Sequence, residues 1–423
     1  MRILIITQYF HPENFGINEA AYDLAGCGHR VTVLTGMPNY PSGRIEPAYR
    51  GLRVRRESVQ GVSIVRVPIL PRGRATFLLL AMNYLSFAIT ASLLAPFLIR
   101  EPMDVILVYQ VSPLTVGIPA LVLRRIRKIP IVFWVQDLWP ETLIAMKTLK
   151  SAAVIRLIRW LAVFTYRRCR MILVQSPAYI SQIRAMGLRD ADIRYFPNAA
   201  PTDYGPLLPS EDAPERQLLP EGFNVVFAGN IGLQQDFGTI LAAAELLKDF
   251  NDIHWVVVGD GRLRQWVADE IAKRHLGATC RLVGPQPSER MPSIFALSDA
   301  LLITLTRSCI AGLTIPSKLQ SYLACGRPII GAVDGETRKI ISESGSGLVC
   351  PPGDPRALAA AVLALYRMSP AQRSAMGQAG RACFEQRFER RSLITRLTRW
   401  LVEASADRRY VPNASLRERV LAE

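Results

Sequence analysis

The residues best suited to chemistry lie in one stretch of the second half of the chain, from Thr314 to Pro328. Pro316 ends the preceding segment, Ser317 is a good N-cap, and the following apolar residues recur at helical spacing, which predicts a short helix. The first turn of a helix carries a partial positive charge, and Lys318 adds a full charge at the same end. The stretch predicts a site for a phosphate or diphosphate, although an ordinary capped helix has the same pattern.

A second group of candidate residues follows an apolar run in the first half. Asp137 and Glu141 come just after Pro130–Val135, whose composition predicts a buried strand. The carboxyl ends of parallel strands hold most functional loops, so Asp137 could orient a hydroxyl group or accept a proton. It could also cap the next helix. Gly16, in the loop Gln8–Asn18, either lets the backbone approach a ligand or serves as a plain turn residue.

Strand-like apolar runs alternate with helical patterns along both halves of the chain, which predicts doubly wound α/β domains. The 423 residues are too many for one core. Residues 199–222 contain five prolines and predict a linker. We therefore predict an N-terminal domain (1–198), the linker, a C-terminal domain (223–386), a closing helix (387–405) and a tail (406–423).

The segment Ala75–Ile99 has 25 residues and no charge, which is long enough to span a bilayer. Four polar residues fall on one face of the predicted helix: Thr76, Asn83, Ser86 and Thr90. Pro96 interrupts it near the end, and predicted strands of one sheet flank it on both sides. These features favour a helix that covers the sheet or one sunk partly into the headgroup region over a true span.

The net charge of +16 is unevenly placed. Residues 1–200 carry 25 basic and 11 acidic residues, and residues 201–423 carry 26 and 24. The first half therefore suits an anionic surface. Its helical stretch Ser151–Arg170 alternates arginines with apolar residues, as helices on anionic membranes do, although a solvated face of a packed helix looks similar. The basic residues lie near apolar stretches, so we expect lipid and not nucleic acid as the partner.

The cysteines and histidines predict neither disulfides nor metal. The seven cysteines are widely spaced without a CxxC pair, which is typical of reduced thiols in the cytoplasm. The four histidines are scattered. The first residues run straight into a predicted strand and lack the features of a secretory signal.

Six stretches together carry a specific pattern: Ile5–Phe10, Leu34–Gly43, Gln136–Glu141, Gly229–Gln234, Gly259–Gly261 and Ile315–Pro328. With them the chain resembles the GT-B glycosyltransferases of family 4 along almost its whole length. It is most similar to a bacterial subgroup of L-fucosamine transferases in O-antigen and capsule biosynthesis.

The resemblance implies an α/β fold of the GT-B type, with two Rossmann-like domains facing across a cleft. It implies retaining transfer of a sugar from a nucleotide sugar, with a UDP-linked amino or deoxy sugar as donor, and no metal or other cofactor. The acceptor would bind the basic first domain. A lipid-linked saccharide fits that charge, so the enzyme would lie in the cytoplasm at the inner face of the plasma membrane.

The resemblance also implies roles for single residues. Lys318 would stabilise the leaving group, and Asp137 and Glu141 would position hydroxyl groups. The nucleotide sugar would be bound by Gly16, Asn230, Gln235, Gly259, Asp260, Val283, Pro285, Pro316, Ser317, Gln320 and Ser321.

Three departures from the family pattern stand out. Asn230 and Gln235 occupy positions where the family at large has Arg and Lys. The Glu-x7-Glu pair is absent, with Ser321 near its second position, and Gln136 stands where a histidine is common. Two alternatives therefore stay open: a UDP-sugar epimerase of the same architecture, and a membrane-associated assembly subunit without catalysis.

Overall fold

The computed structural model of the chain describes residues 1–74, 76–145, 149, 151–208, 210 and 212–406. The chain divides into two compact units. The first contains Met1–Phe196 together with the residues from Arg391 onward, and the second contains Pro197–Arg390. The boundaries predicted at residues 198 and 387 lie close to these divisions. Of the predicted tail, residues 407–423 lie outside the described residues.

The first unit is built from strands whose apolar runs are mostly buried on both faces, as parallel strands are. The strands are β1 (Arg2–Ile6), β2 (Arg30–Gly36), β3 (Arg55–Val59), β4 (Val62–Val67), β5 (Val105–Gln110), β6 (Ile131–Val135), β7 (Met171–Val174) and β8 (Ile193–Tyr195). The helices between them are α1 (Gly16–Gly26), α2 (Phe77–Leu98), α3 (Gly117–Arg127), α4 (Glu141–Ala145), α5 (Ala152–Tyr166) and α6 (Ala178–Ala185).

These strands form one sheet in the order β3-β4-β2-β1-β5-β6-β7-β8. All neighbours are parallel except β3 and β4, which pair antiparallel at one edge. The chain order reverses between β1 and β5. The space beyond their carboxyl ends is therefore the switch point at which such sheets bind ligands.

The long apolar helix α2 covers this sheet with its polar side. It packs against α3, β2 and β4. Asn83 Nδ2 donates to the carbonyl oxygen of Leu70 at 2.5 Å, and Ser86 Oγ accepts from the Leu70 N–H at 2.9 Å. Thr90 Oγ1 donates to the carbonyl oxygen of Pro68 at 2.9 Å. Covering the sheet is one of the two placements favoured by the sequence.

The opposite side of α2 is apolar and exposed. Its side chains form a stripe with a spacing of three or four residues: Leu78, Met82, Leu85, Ile89, Leu93 and Phe97. Each of these residues is between 42% and 71% exposed. Within the described ranges, Leu78–Leu98 is the single helix long and apolar enough to cross a membrane, judged by length and composition only. The inner side buries Asn83 together with apolar residues such as Phe87 and Ala91, so α2 is apolar on both sides, unlike an ordinary surface helix.

The buried amide of Asn83 provides a test of this packing. Gln8 Nε2 donates to Asn83 Oδ1 at 2.7 Å, and Asn83 in turn donates to Leu70. Asn83→Leu leaves both partners unsatisfied, so we expect the free energy of unfolding to fall by about 1–3 kcal/mol. The measurement is the urea midpoint of the unfolding transition. Ser92→Ala is the control, because the buried Ser92 hydroxyl has no hydrogen-bond partner among the described residues. Equal midpoints for the two variants would contradict the prediction.

The second unit repeats the architecture of the first. Its strands are β9 (Phe223–Ala228), β10 (Ile253–Val258), β11 (Cys280–Gly284), β12 (Ala300–Thr304), β13 (Ile329–Ala332) and β14 (Gly347–Cys350). Its helices are α7 (Phe237–Leu246), α8 (Arg264–Lys273), α9 (Met291–Ala296), α10 (Cys309–Leu313), α11 (Ser317–Ala324), α12 (Gly335–Ser344), α13 (Pro355–Tyr366) and α14 (Pro370–Arg387).

The second sheet is parallel throughout, in the order β11-β10-β9-β12-β13-β14. This is the strand order of a Rossmann fold, with its switch point between β9 and β12. The fold class predicted from the sequence, two doubly wound α/β sheets, is thus confirmed.

The last described helix, α15 (Arg390–Ser405), packs on the first unit. It buries Leu393, Leu397 and Leu401. Arg194 of β8 donates to Glu403 on this helix, with 2.5 Å between Nη2 and Oε1. The helix predicted over 387–405 therefore exists but begins later, because the residues before it end α14.

One helix boundary differs from the prediction, and one helix was not predicted. α1 begins at Gly16, inside the predicted loop, because Phe15 before it has an extended backbone and takes the N-cap position. The helix that was not predicted is α14. Its start is a capping box in which Ser369 and Gln372 each accept from the other's backbone N–H. That Ser-x-x-Gln spacing is a signal that could have predicted the helix.

Part of the stretch predicted as a linker packs on the second unit. Glu215, in a short 3-10 turn over Pro214–Leu218, is buried. Its carboxylate pairs with Arg290 at 2.7 Å. The proline content predicted a linker. The packing of Glu215 could not be predicted, because its ion-pair partner lies 75 residues away in the sequence.

Candidate functional site

Two glycine loops lie side by side at the carboxyl edge of the second sheet. Gly229 follows β9 and Gly259 follows β10, with φ angles of +132° and +143°, where side chains are disfavoured. A Cβ atom on Gly259 would collide with the carbonyl group of Gly229, and one on Gly261 would collide with the backbone of Ile231. Glycine at these positions allows the loops to pack closely and leaves bare backbone next to the switch point.

The helix α11 begins at the same edge of the sheet. Pro316, with an extended backbone, occupies the N-cap position, and Ser317 is the first helical residue. The prediction of Ser317 as N-cap is therefore wrong by one residue, because the turn into the helix occurs at Pro316. Ser317 is exposed, and N–H groups in the first turn of a helix have no partner within the helix. The N–H group of Leu319 already donates to the Pro316 carbonyl oxygen at 2.9 Å.

Lys318 lies over the first glycine loop. Its Nζ donates to Gln235 Oε1 at 2.7 Å and lies 3.8 Å from the centre of the Phe227 ring. A Cβ atom on Gly229 would be 3.5 Å from the same Nζ. In the described part of the chain, Lys318 forms no ion pair with a carboxylate. Burial lowers its pKa to about 7. A buried ammonium group without an acidic partner is stabilised when an anion binds beside it.

The loop that carries Gln235 is held in place by residues at the end of β12. Thr304 Oγ1 donates to the carbonyl oxygen of Gln235 at 2.5 Å, and the Thr306 N–H donates to that of Gln234 at 2.9 Å. Gln235 stands where the family at large has a lysine, and here it accepts a hydrogen bond from Lys318. The Gln235 amide thus orients the Lys318 ammonium group.

The other predicted residues of this unit lie around the same edge. Four are at or next to the carboxyl ends of β9, β10 and β11: Asn230, Asp260, Val283 and Pro285. Asp260 Oδ1 accepts from the Gly261 N–H at 2.8 Å, which shapes its loop. Within α11, Ser321 is buried, and the fully buried amide of Gln320 donates to the carbonyl oxygens of Pro316 and Ser317, both at 3.0 Å. Gln320 therefore supports the first turn from inside.

Asp137 lies just past the carboxyl end of β6 in the first unit. Its carbonyl oxygen accepts from Gln110 Nε2 at 2.9 Å, which fixes the loop to the end of β5. Burial raises the pKa of the Asp137 carboxyl to about 7. The pKa of neighbouring Tyr109 is raised by its own burial and by the charge of Asp137. A carboxyl with a pKa near neutrality is suited to accept a proton at physiological pH.

Gly16 lies close to the same residues. It is the exposed first residue of α1, and a Cβ atom there would lie 3.7 Å from the Tyr109 hydroxyl. Tyr109 therefore neighbours both Gly16 and Asp137. The first unit brings these two predicted residues together at the switch point between β1 and β5.

Glu141 has a different environment. It begins α4, and its Oε1 accepts from Arg159 Nη2 on the basic helix α5 at 3.1 Å. The structure thus gives this carboxylate a cationic partner. Asp137 is the predicted carboxylate that lies beside Tyr109 and Gly16.

Glu13, a buried carboxylate in the loop after β1, was not predicted from the sequence. Glu13 Oε1 accepts from the N–H groups of Asn39 at 2.8 Å and Tyr40 at 2.7 Å. Glu13 Oε2 accepts from the Phe10 N–H at 3.3 Å. Burial raises its pKa above the usual value. The sequence signal that could have identified Glu13 is a single acidic residue in a loop rich in aromatic residues.

No group of three or more metal-ligating side chains exists among the described residues. The six cysteines whose side chains are described are free thiols. Metal-independent chemistry and the cytoplasmic location stay predictions.

Two family models match the chain, one in each half. The model described as "Glycosyl transferase 4-like domain" matches residues 15–199. The model described as "Glycosyl transferases group 1" matches residues 210–382. The chain is a glycosyltransferase, with one such domain in each half.

Relatives of this glycosyltransferase include two bacterial proteins. WbjE of Pseudomonas aeruginosa, named as a glycosyltransferase, is 31% identical over 237 residues, which cover 54% of this chain and 58% of WbjE. WcaI of Escherichia coli K12, named for colanic acid biosynthesis, is 22% identical over 77% of this chain and 82% of its own length. The match to WbjE thus spans less than two thirds of that relative.

Solved structures share the fold of this glycosyltransferase over nearly its whole length. Sucrose-phosphate synthase from Thermosynechococcus elongatus superimposes with a TM-score of 0.73 at 15% identity, covering 95% of this chain and 98% of the other. HepE from Anabaena, solved in complex with UDP, has a TM-score of 0.72 at 15% identity, covering 95% and 100%. At this identity the likeness shows the GT-B fold alone.

Proposed function

We propose that the protein is a retaining glycosyltransferase that moves a UDP-linked amino or deoxy sugar onto a lipid-linked saccharide during assembly of a bacterial surface polysaccharide. The observation that carries the proposal is the position of Lys318. This cation stands at the start of α11, over the bare backbone of Gly229, and no carboxylate of the described residues pairs with it. Such a place suits the diphosphate of a nucleotide sugar.

The proposed reaction depends on stabilising the departing nucleoside diphosphate. When the bond between the sugar and the β-phosphate breaks, negative charge grows on the phosphate oxygens. The Lys318 ammonium group and the first-turn N–H groups of α11 supply positive charge there, and they are oriented before the reaction begins. No metal is required for this role, so we propose a metal-independent transfer.

We propose that the acceptor binds the first unit, where Asp137 accepts the hydroxyl proton or orients the hydroxyl group. Two features support this assignment: the pKa of about 7 that burial gives Asp137, and its position at a sheet switch point. The relatives' names, which refer to polysaccharide biosynthesis, and the resemblance to L-fucosamine transferases favour a saccharide acceptor and an amino or deoxy sugar donor.

We further propose that the enzyme works at the inner face of the plasma membrane. Two further helices of the first unit also expose apolar side chains. Ile126 on α3, which packs against α2, and Leu157 and Trp160 on α5 are each more than half exposed. Guanidinium groups surround the carboxyl end of α2. Arg56 donates to the Leu98 carbonyl and Arg127 to the Pro96 carbonyl, both at 2.7 Å. Apolar side chains flanked by arginines suit insertion into anionic lipid.

The function is tested by incubating purified protein with radiolabelled UDP-sugars and a polyprenyl-diphosphate-linked saccharide. Label in the lipid fraction with retained anomeric configuration supports the proposal. An epimerised free nucleotide sugar would assign the chain to the epimerases instead. Neither product, with a folded protein and a panel of UDP-sugars, would favour an assembly subunit without catalysis.

The membrane proposal predicts that Leu85→Gln combined with Ile89→Gln weakens sedimentation with phosphatidylglycerol-containing vesicles by roughly tenfold or more, because two side chains lose their apolar contact with lipid. The control is Leu52→Gln, which alters a leucine that is 88% exposed but lies outside the stripe. We expect wild-type binding to fall in high salt and with neutral vesicles. Equal binding by the double variant and the control would contradict the proposal.

A further inference from the structure

An aromatic cluster lies at the carboxyl edge of the first sheet, beside the apolar stripe. We call Tyr9, Phe15 and Tyr40 the aromatic platform. The rings of Tyr9 and Phe15 stack with centres 5.2 Å apart, and Tyr40 lies 5.4 Å from Phe15 and 6.0 Å from Tyr9. Tyr40 is 44% exposed, so the platform opens to solvent. Phe15 directly precedes Gly16, which places the platform next to the site around Asp137.

Arg72 lies over this platform. Its guanidinium carbon is 5.0 Å from the centre of the Tyr40 ring and 5.6 Å from that of Tyr9. Its backbone N–H donates to Asn39 Oδ1 at 3.2 Å, which fixes the segment. Cation–π contact with two rings attracts the guanidinium group without using its N–H groups.

A comparison with Arg66 shows that Arg72 is not held as a structural arginine is. Arg66 is fully buried, and its guanidinium donates to the Glu57 carboxylate and to the carbonyl oxygens of Gly36 and His11. Arg72 is only partly buried, and none of the described residues forms an ion pair with it or accepts a hydrogen bond from its guanidinium. The guanidinium N–H groups of Arg72 are therefore available to donate hydrogen bonds to an anion.

The platform itself is rigidly held. Glu13 accepts from the N–H groups of both Asn39 and Tyr40, so the loop after β2 is fixed to the loop after β1. Asn39 in turn accepts from Asn83 of α2 at 3.5 Å. The cation, the rings and the helix with the apolar stripe thus belong to one connected structure.

Arg72 lies where the apolar stripe begins. Its neighbour Gly73 is so close to Leu79 that a Cβ atom there would be 2.9 Å from the leucine side chain. Leu79 is in the first turn of α2, and the stripe starts at Leu78. A ligand whose anionic head binds Arg72 could therefore place an apolar tail along α2, a helix roughly 30 Å long.

We propose that Arg72, presented by the aromatic platform, binds the diphosphate of a prenyl-diphosphate-linked acceptor whose lipid chain lies on the apolar stripe. This inference deepens the proposed function, because it places the acceptor's head group. The saccharide beyond the diphosphate then extends over the platform, where aromatic rings pack against the apolar faces of sugars, towards Asp137.

The test measures binding of farnesyl diphosphate, with farnesol and inorganic pyrophosphate as separate probes. We expect wild-type protein to bind farnesyl diphosphate at least tenfold more tightly than either probe, since head and tail both contribute. Arg72→Gln should weaken binding of farnesyl diphosphate by about 10- to 100-fold, the effect of losing charge-assisted hydrogen bonds to phosphate. Arg74→Gln, the same charge change two residues away, should change it less than threefold.

Affinity for UDP-glucose and the far-ultraviolet dichroism are measured on each variant. The inference is overturned if Arg72→Gln binds farnesyl diphosphate as wild type does, if Arg74→Gln is equally impaired, or if pyrophosphate binds as tightly as farnesyl diphosphate. In the transfer assay Arg72→Gln should raise the acceptor KM and leave the donor KM unchanged. If Arg72→Gln transfers sugar with an unchanged acceptor KM, the inference is rejected and the proposed function stands. If the wild-type protein does not bind the donor, the proposed function itself is rejected.

Discussion

Replacing Lys318 by Met is expected to lower kcat/KM for the nucleotide sugar by about 10²- to 10³-fold, the usual effect of removing one pre-oriented group that stabilises developing negative charge. The side chain keeps its length and apolar stem, so packing over the Phe227 ring is preserved while the charge is lost. The measurement is initial-rate kinetics of transfer with varied donor, together with a titration of UDP-glucose.

The pH dependence sharpens this prediction. Burial lowers the pKa of Lys318 to about 7, so the ammonium form is lost as pH rises through neutrality. In wild type we expect kcat/KM for the donor, which reports the free enzyme, to fall on the alkaline side of about pH 7. In Lys318→Met this alkaline decline should disappear.

Lys273→Met is the matched control for Lys318. Lys273 lies on α8 of the same unit with a side chain 76% exposed, and its ion pair with Glu270 is a surface contact. We expect less than a twofold change in kcat/KM. Donor kinetics of Lys318→Met that match those of Lys273→Met would remove the basis for placing the diphosphate at α11.

The second large effect is expected at Asp137. Asp137→Asn should lower kcat by about 10²- to 10⁴-fold, the contribution of a positioned proton acceptor, with UDP-glucose affinity unchanged. Burial raises the pKa of this carboxyl to about 7, so it gains a proton and loses activity as pH falls below neutrality. The acidic limb of the wild-type pH profile should therefore vanish in the variant.

Glu141→Gln distinguishes this role from a general effect of removing acidic charge near β6. Because Glu141 pairs with Arg159, its substitution should lower kcat less than tenfold and leave the acidic limb in place. The reverse order, with a larger loss at Glu141 than at Asp137, would assign the proton acceptor to Glu141.

The sequence predicted what local pattern determines. Buried β-branched runs predicted parallel strands, and the spacing of Leu319, Tyr322 and Leu323 predicted α11. It also predicted which loops leave the carboxyl ends of strands, because that follows from strand direction alone. Lys318 and Asp137 were therefore identifiable as candidates before any contact was known.

Contacts between distant residues could not be predicted in this way. The hydrogen bond from Lys318 to Gln235 joins residues 83 positions apart, and the stack of Arg72 on Tyr9 and Tyr40 depends on how three loops meet. In α2 the polar residues mark one face, but the sequence does not show whether that face packs on the sheet or lies in solvent. The side that packs depends on where Asn83 finds its partners.

The path of α15 affects how this enzyme can be divided. Its first unit is discontinuous in sequence: Leu397 and Leu401 complete the core of a fold that began at Met1, and Glu403 pairs with Arg194. A fragment that stops near residue 200 would expose the apolar surface that α15 covers. Chimeras that exchange the first unit, where we propose that the acceptor binds, therefore need to transplant both ends of the chain together and keep residues 197–390 as the insert.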